Sequence, residues 1–153
     1  IKIFDKLYEK NYNIQLIIKT SFKEYSSKNL TYILDSIKAV SKNLGKSIFL
    51  IIKNVSNLEL LCIHSMGDCY VSLTRGEGFG LTIFEAFNYK KPVIATGYSG
   101  HIDFLGRKYS GLVNYEMETV SGMDNFSKQY TKDQKWAKPN LDHAYSLMEN
   151  NII

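Results

Sequence analysis

Short apolar runs alternate with amphipathic stretches along this chain. IQLIIKT (14–20), SIFLII (47–52), DCYVSL (68–73), PVIAT (92–96) and GLVNY (111–115) are the apolar runs. Runs so short and so apolar predict strands buried on both faces. Between them lie helical patterns. LTYILDSIKAVSKNL (30–44) sets Leu30, Ile33, Leu34, Ile37, Val40 and Leu44 on one face at three- and four-residue spacing. SNLELLCIHSM (56–66) opens on Ser56 as N-cap, and LTIFEAFNY (81–89) follows a glycine-rich loop. LDHAYSLMENN (141–151) starts just after Pro139. Strand and helix in alternation with short connections predict an α/β fold, a parallel sheet with helices on both faces. Residues 116–138 are polar and weakly patterned and read as a long surface loop. The opening IKIFDKLYEK reads as the tail of a helix whose preceding strand lies upstream.

Composition narrows the picture only a little. The 153 residues, 44% hydrophobic and 22% charged, suit one ordinary globular domain with a sizeable core. The net charge of +4 comes from scattered lysines with acids between them, so no basic stripe points to nucleic acid. A weak attraction to phosphorylated ligands or to anionic membrane surfaces is the most this charge provides, and membrane association is open but not otherwise indicated. Cys62 and Cys69 make no disulfide scaffold, and a reducing, cytoplasmic compartment is expected. Lacking partner ligands at suitable spacing, they make no metal site either. No apolar run reaches the roughly 18 residues of a membrane span. The chain begins with Ile1 rather than Met and is read as a domain excised from a longer protein.

The chemistry concentrates in TRGEGFGLTIFEA (74–86), where Gly76, Gly78 and Gly80 alternate and Glu77 and Glu85 flank the last two. In a doubly wound sheet, ligands bind beyond the carboxyl ends of the strands. This loop follows the strand in 68–73, and the helix after it turns its N-terminus into the same crevice. Free amides and the positive end of the helix dipole favour a phosphate there, and glycines let the backbone approach it. Carboxylates repel phosphate but accept hydrogen bonds from hydroxyls. Two of them flanking one phosphate site suit a ligand with hydroxyls on both sides of its phosphates, the layout of a nucleotide sugar. The dinucleotide fingerprint, the Walker loop and the kinase glycine loop all fit this sequence poorly.

Glu77, seven residues, then Glu85 resembles the E-x7-E pattern of retaining glycosyltransferases with the two-Rossmann-domain (GT-B) fold. The stretch SNLELLCIHSMGDCYVSLTRGEGFGLTIFEAFNYKKPVIATGYSGHIDFL resembles the C-terminal, donor-binding domain of family four of these enzymes, and WAKPNLDHAYSLM is similar to a closing segment of some bacterial members. The resemblance implies a Rossmann-like domain over 1–153, the C-terminal half of a GT-B fold, with its first strand and the N-terminal acceptor domain outside this chain. It implies that Glu85 holds the donor's ribose hydroxyls and that Glu77 faces the donor sugar near its reacting carbon. Gly78 belongs to the loop that approaches the ligand. By the same resemblance Phe79, Gly80 and Leu81 meet the sugar, Leu81 and Thr82 lie near the diphosphate, and Asn54, Val55 and Leu58 cradle the base. The donor would be a UDP- or GDP-linked sugar, transferred with retention to an unknown acceptor, with no metal and no further cofactor. The family's phosphate-binding Arg and Lys would precede Ile1; Lys19, at the end of a strand, could substitute. This piece alone is expected to bind donor weakly and not to catalyse. Two other readings stay open: a non-catalytic binding or regulatory module, and a nucleotide-sugar epimerase of similar architecture.

Around these residues the sequence offers less. Gly97 and Gly100 make a second loop at the next strand end, with His101 as a helix cap or a phosphate or sugar contact. His64 and His143 read as structural or surface residues, Trp136 and the tyrosines as packing or surface, and Asp103 as a helix-start acid or a catalytic one.

Overall fold

The computed structural model describes residues 1–10, 12–21, 26–121, 130 and 133–152, arranged in two compact units that divide after Ile63. The first unit opens with helix α1, Lys2–Glu9, which buries Ile3, Phe4 and Leu7 at helical spacing. Strands β1, Leu16–Thr20, and β2, Ile48–Ile52, pair in parallel from Leu16↔Ile48 to Thr20↔Ile52. Helix α2, Ser27–Lys38, connects them and is capped by the Ser26 side chain, which accepts from the Asn29 amide.

The apolar periodicity extends to Leu44, but α2 stops at Lys38. Beyond it the chain tightens into a turn: the Val40 and Ser41 amides both donate to the Ile37 carbonyl. The Ser41 hydroxyl and the Asn43 side-chain Nδ2 then donate to the same Asp5 oxygen on α1, at 2.9 and 2.7 Å. Short polar side chains with partners elsewhere compete with helix continuation.

Helix α3, Asn57–Met66, carries the chain from the first unit into the second. Its start is a capping box. The Glu59 amide donates to Ser56 Oγ at 3.2 Å, and the Ser56 amide donates back to the Glu59 carboxylate at 2.8 Å. Lys53 lies 2.8 Å from the same carboxylate. The Lys53 hydrogen bond, followed by those from Ser56, holds the Glu59 carboxyl down to about 2. Ser56→Ala is expected to cost about 1 kcal/mol in denaturant unfolding at neutral pH. Because the Glu59 pKa is depressed in the fold, its contribution is complete above 4.5 and disappears as pH falls toward 2. The stability gap between the native chain and Glu59→Gln should therefore close over that interval.

In the second unit β3, Tyr70–Ser72, β4, Val93–Thr96, and β5, Leu112–Val113, form a parallel sheet in the order β3-β4-β5. Helix α4, Leu81–Asn88, links β3 to β4, and the four-residue α5, Ile102–Leu105, follows β4. All four residues of β4 are buried, and Val93 and Ala95 join Ile83, Ala86 and Leu105 in the core. In β1, β2 and β3 the expected burial on both faces is not met: Ile17, Phe49 and Val71 stand exposed. Each is one position of a strand whose pleat turns alternate residues to opposite faces.

The surface loop expected over 116–138 is also corrected. Its described ends form an antiparallel ribbon, β6, Tyr115–Thr119, against β7, Lys135–Pro139, while 122–129, 131 and 132 lie outside the described residues. Helix α6, Leu141–Asn150, ends the unit, capped by the Asn140 side chain. His143 accepts the Asn114 amide at 3.0 Å through Nδ1, a structural role. Among the described residues no helix is long and apolar enough to cross a membrane.

Candidate functional site

Because β3 and β4 are parallel neighbours, the loops after them leave the sheet side by side. The first, residues 73–80, ends at Gly80, which is in the left-handed conformation at φ 81° and ψ 51° as N-cap of α4. Glycine meets that backbone requirement without strain. No side chain caps α4, so its first amides remain available beside the loop.

The second loop, residues 97–101, clamps the first. Ser99 sits at φ 93°, a strained conformation for a non-glycine residue. Its hydroxyl accepts from the Glu77 amide at 3.1 Å and donates to the Glu77 carbonyl. Next to it, Gly100 passes so close that a Cβ there would stand 2.1 Å from the Gly78 carbonyl oxygen. Glu77 bends back on its own turn, its carboxylate accepting the Gly78 amide at 3.1 Å. Phe79, largely exposed, rests on Phe84 and Phe104 with ring centroids 5.4 and 5.3 Å away.

A third support comes from the β6–β7 ribbon. The Ala137 amide donates to the Arg75 carbonyl at 2.9 Å. The Arg75 guanidinium lies 4.5 Å above the Trp136 ring and pairs with Glu118, which also accepts from Trp136 Nε1 and faces Lys138 at 3.3 Å. Trp136 is thus packed and bonded at the root of the glycine loop.

Glu85 lies on the second turn of α4 and is turned partly inward. Its Oε2 is buried and stands 3.5 Å from Nε2 of the buried His64. Tyr70 on β3 donates to Thr82 Oγ1 at 2.8 Å. Burial pushes the Tyr70 phenol up, and the charges of Glu77 and Glu85 add to that shift.

His101 occupies the N-cap position of α5 but makes no side-chain cap bond there. Its ring is fully buried, with Nε2 2.7 Å from the Thr96 carbonyl and Nδ1 without a partner, and its Cβ lies under Gly80. Asp103 is exposed on the first turn of α5. The Cys69 thiol, pushed up to about 11 by burial and then by Asp68, makes a poor nucleophile.

The second unit thus brings together Glu77, Gly78, Phe79, Gly80, Leu81, Thr82, Glu85, Gly100 and His101. The remaining candidates belong to the first unit: Lys19 half-buried on β1 opposite Ile51, Asn54 and Val55 in the turn from β2 into α3, and Leu58 in the first turn of α3. Sequence reasoning passed over Ser99, Arg75 and the pairing of His64. The Ser between two loop glycines was the one readable signal; the other two are tertiary contacts.

The model of the family "Glycosyl transferases group 1" matches residues 1–138. No curated protein matches the chain, and no solved structure does. With that match over most of its length, and a Rossmann-like α/β arrangement of parallel strands and helices beneath the paired loops, the chain belongs to the group 1 glycosyl transferases.

Proposed function

We propose that the second unit holds the nucleoside-diphosphate sugar from which the enzyme transfers a glycosyl group. One observation carries this reading: two loops locked together by Ser99 and Gly100 present the uncapped N-terminus of α4 between two carboxylates. The α4 amides suit the diphosphate, whose charge grows as it leaves, so the helix end stabilises the transition state more than the ground state. Glu85 accepts from ribose hydroxyls, and Glu77 with the Gly78–Gly80 backbone meets the transferred sugar. In the reaction the anomeric carbon loses its bond to the diphosphate oxygen and gains one to the acceptor oxygen on the same face, while the acceptor hydroxyl's proton passes to the departing diphosphate. A nucleoside-diphosphate donor, retention and a GT-B partner domain for the acceptor complete the proposal. A cytoplasmic location belongs to the same proposal, in keeping with Cys62 and Cys69 standing outside any disulfide.

Thermal unfolding with UDP, GDP, ADP and their common sugar conjugates tests it. A ligand at a hundred times its dissociation constant adds about 2.7 kcal/mol. One nucleotide should raise the midpoint, and Glu85→Ala should remove most of the rise. A midpoint indifferent to every one of these compounds at millimolar concentration refutes the reading.

A further inference from the structure

We infer that His64 is the positioning residue for Glu85, fixing which carboxylate oxygen a bound ribose meets; the inference rests on the donor-site reading above. The His64 side chain is 7% exposed and that of Glu85 28%. His64 Nε2 and Glu85 Oε2 face each other at 3.5 Å, both buried and neither with a hydrogen bond. Two polar atoms isolated from solvent, with only each other at hand, are costly to keep apart and gain by closing. The rings of Tyr70 and Tyr89 flank the imidazole at 5.8 and 5.6 Å, holding it in place. The groups that face His64 are thus Glu85 and Tyr89 from α4 and its end, and Tyr70 from β3; Glu77 acts on the Tyr70 phenol.

With Oε2 directed at the imidazole N–H, the carboxylate is fixed in rotation and its other oxygen is left for a hydroxyl. Glu85 sits one turn beyond the free amides of α4, so that oxygen has a defined distance to a diphosphate bound there. Without the N–H, an unpaired carboxylate edge stays buried, and the side chain escapes by rotating outward. That rotation degrades ribose recognition while leaving phosphate contacts intact.

The test measures dissociation constants for whichever of UDP, GDP and ADP binds tightest, and for its 2′,3′-dideoxy counterpart. His64→Phe keeps the packing between the tyrosines and removes the N–H; His64→Gln restores a donor near the Nε2 position. His64→Phe is expected to weaken the ribonucleotide about tenfold and to leave the dideoxy nucleotide unchanged. His64→Gln should recover most of the loss, and His64→Phe should add nothing in a Glu85→Ala background. Equal weakening of both nucleotides, or an additive loss with Glu85→Ala, overturns the inference. So does native affinity in His64→Phe when Glu85→Ala still weakens binding, and in that case the donor-site reading survives. No nucleotide binding by the native chain removes both.

Discussion

Gly100→Ala is expected to pry the two site loops apart, abolish nucleotide binding and lower the unfolding free energy by about 1–3 kcal/mol. A Cβ at this position would stand 2.1 Å from the Gly78 oxygen and 3.1 Å from its carbonyl carbon. Both are backbone atoms, so no side-chain rotation relieves the clash. The neighbouring Ser99 is bonded to both the amide and the carbonyl of Glu77 and cannot shift without breaking those bonds. The loop must therefore move as a unit, taking Glu77 and the entry to α4 with it. Gly76→Ala is the control: it lies in the same loop, and a Cβ there meets nothing within 4 Å. Denaturant unfolding and nucleotide titration on the two variants should separate them clearly. Equal behaviour would mean that the loops are not held by close backbone contact.

Ile83→Ala should be the more destabilising change, by about 2–5 kcal/mol, with Ile83→Val costing about 0.5–1.5 kcal/mol. Ile83 is 0% exposed and packs in the core with Ala86, Val93, Ala95 and Leu105. Two of those neighbours are already alanine, with little side chain to move into a void. Its Cδ1 also lies against Gly80, so the cavity would open directly beneath the N-cap of α4. The Ala loss is a large share of the roughly 5–15 kcal/mol typical of a whole domain. Calorimetric or denaturant midpoints for the pair check it. A cost below 1 kcal/mol for Ile83→Ala would show that the core collapses around the gap.

What the sequence disclosed followed from local pattern. Each strand of the two parallel sheets falls inside one of the short apolar runs, because most positions of such a strand are at least partly covered, fully so in β4. The β6–β7 ribbon was illegible for the opposite reason. Tyr115 and Met117 alternate with Glu116 and Glu118, but the segment is short and largely exposed, so nothing marks it as a buried apolar run, and its pairing rests on partners such as Glu118↔Trp136 about eighteen residues away. The end of α2 depends on Asp5, thirty-six residues before Ser41. At the site, the alternating glycines and the two flanking glutamates stood out in the sequence, and the resemblance to a known motif gave the glutamates their expected roles. The inward turn of Glu85 toward His64, and the strained Ser99, depend on which loops the sheet brings side by side, which no local spacing encodes.

The most direct measurement is a nitrogen-15 amide spectrum of the chain titrated with the nucleoside diphosphate that stabilises it most. Binding at the mouth of α4 predicts saturable shifts for Gly78, Phe79, Gly80, Leu81 and Thr82, lost in Gly100→Ala. Saturable shifts that leave those five amides untouched, or none at millimolar nucleotide, would contradict the site.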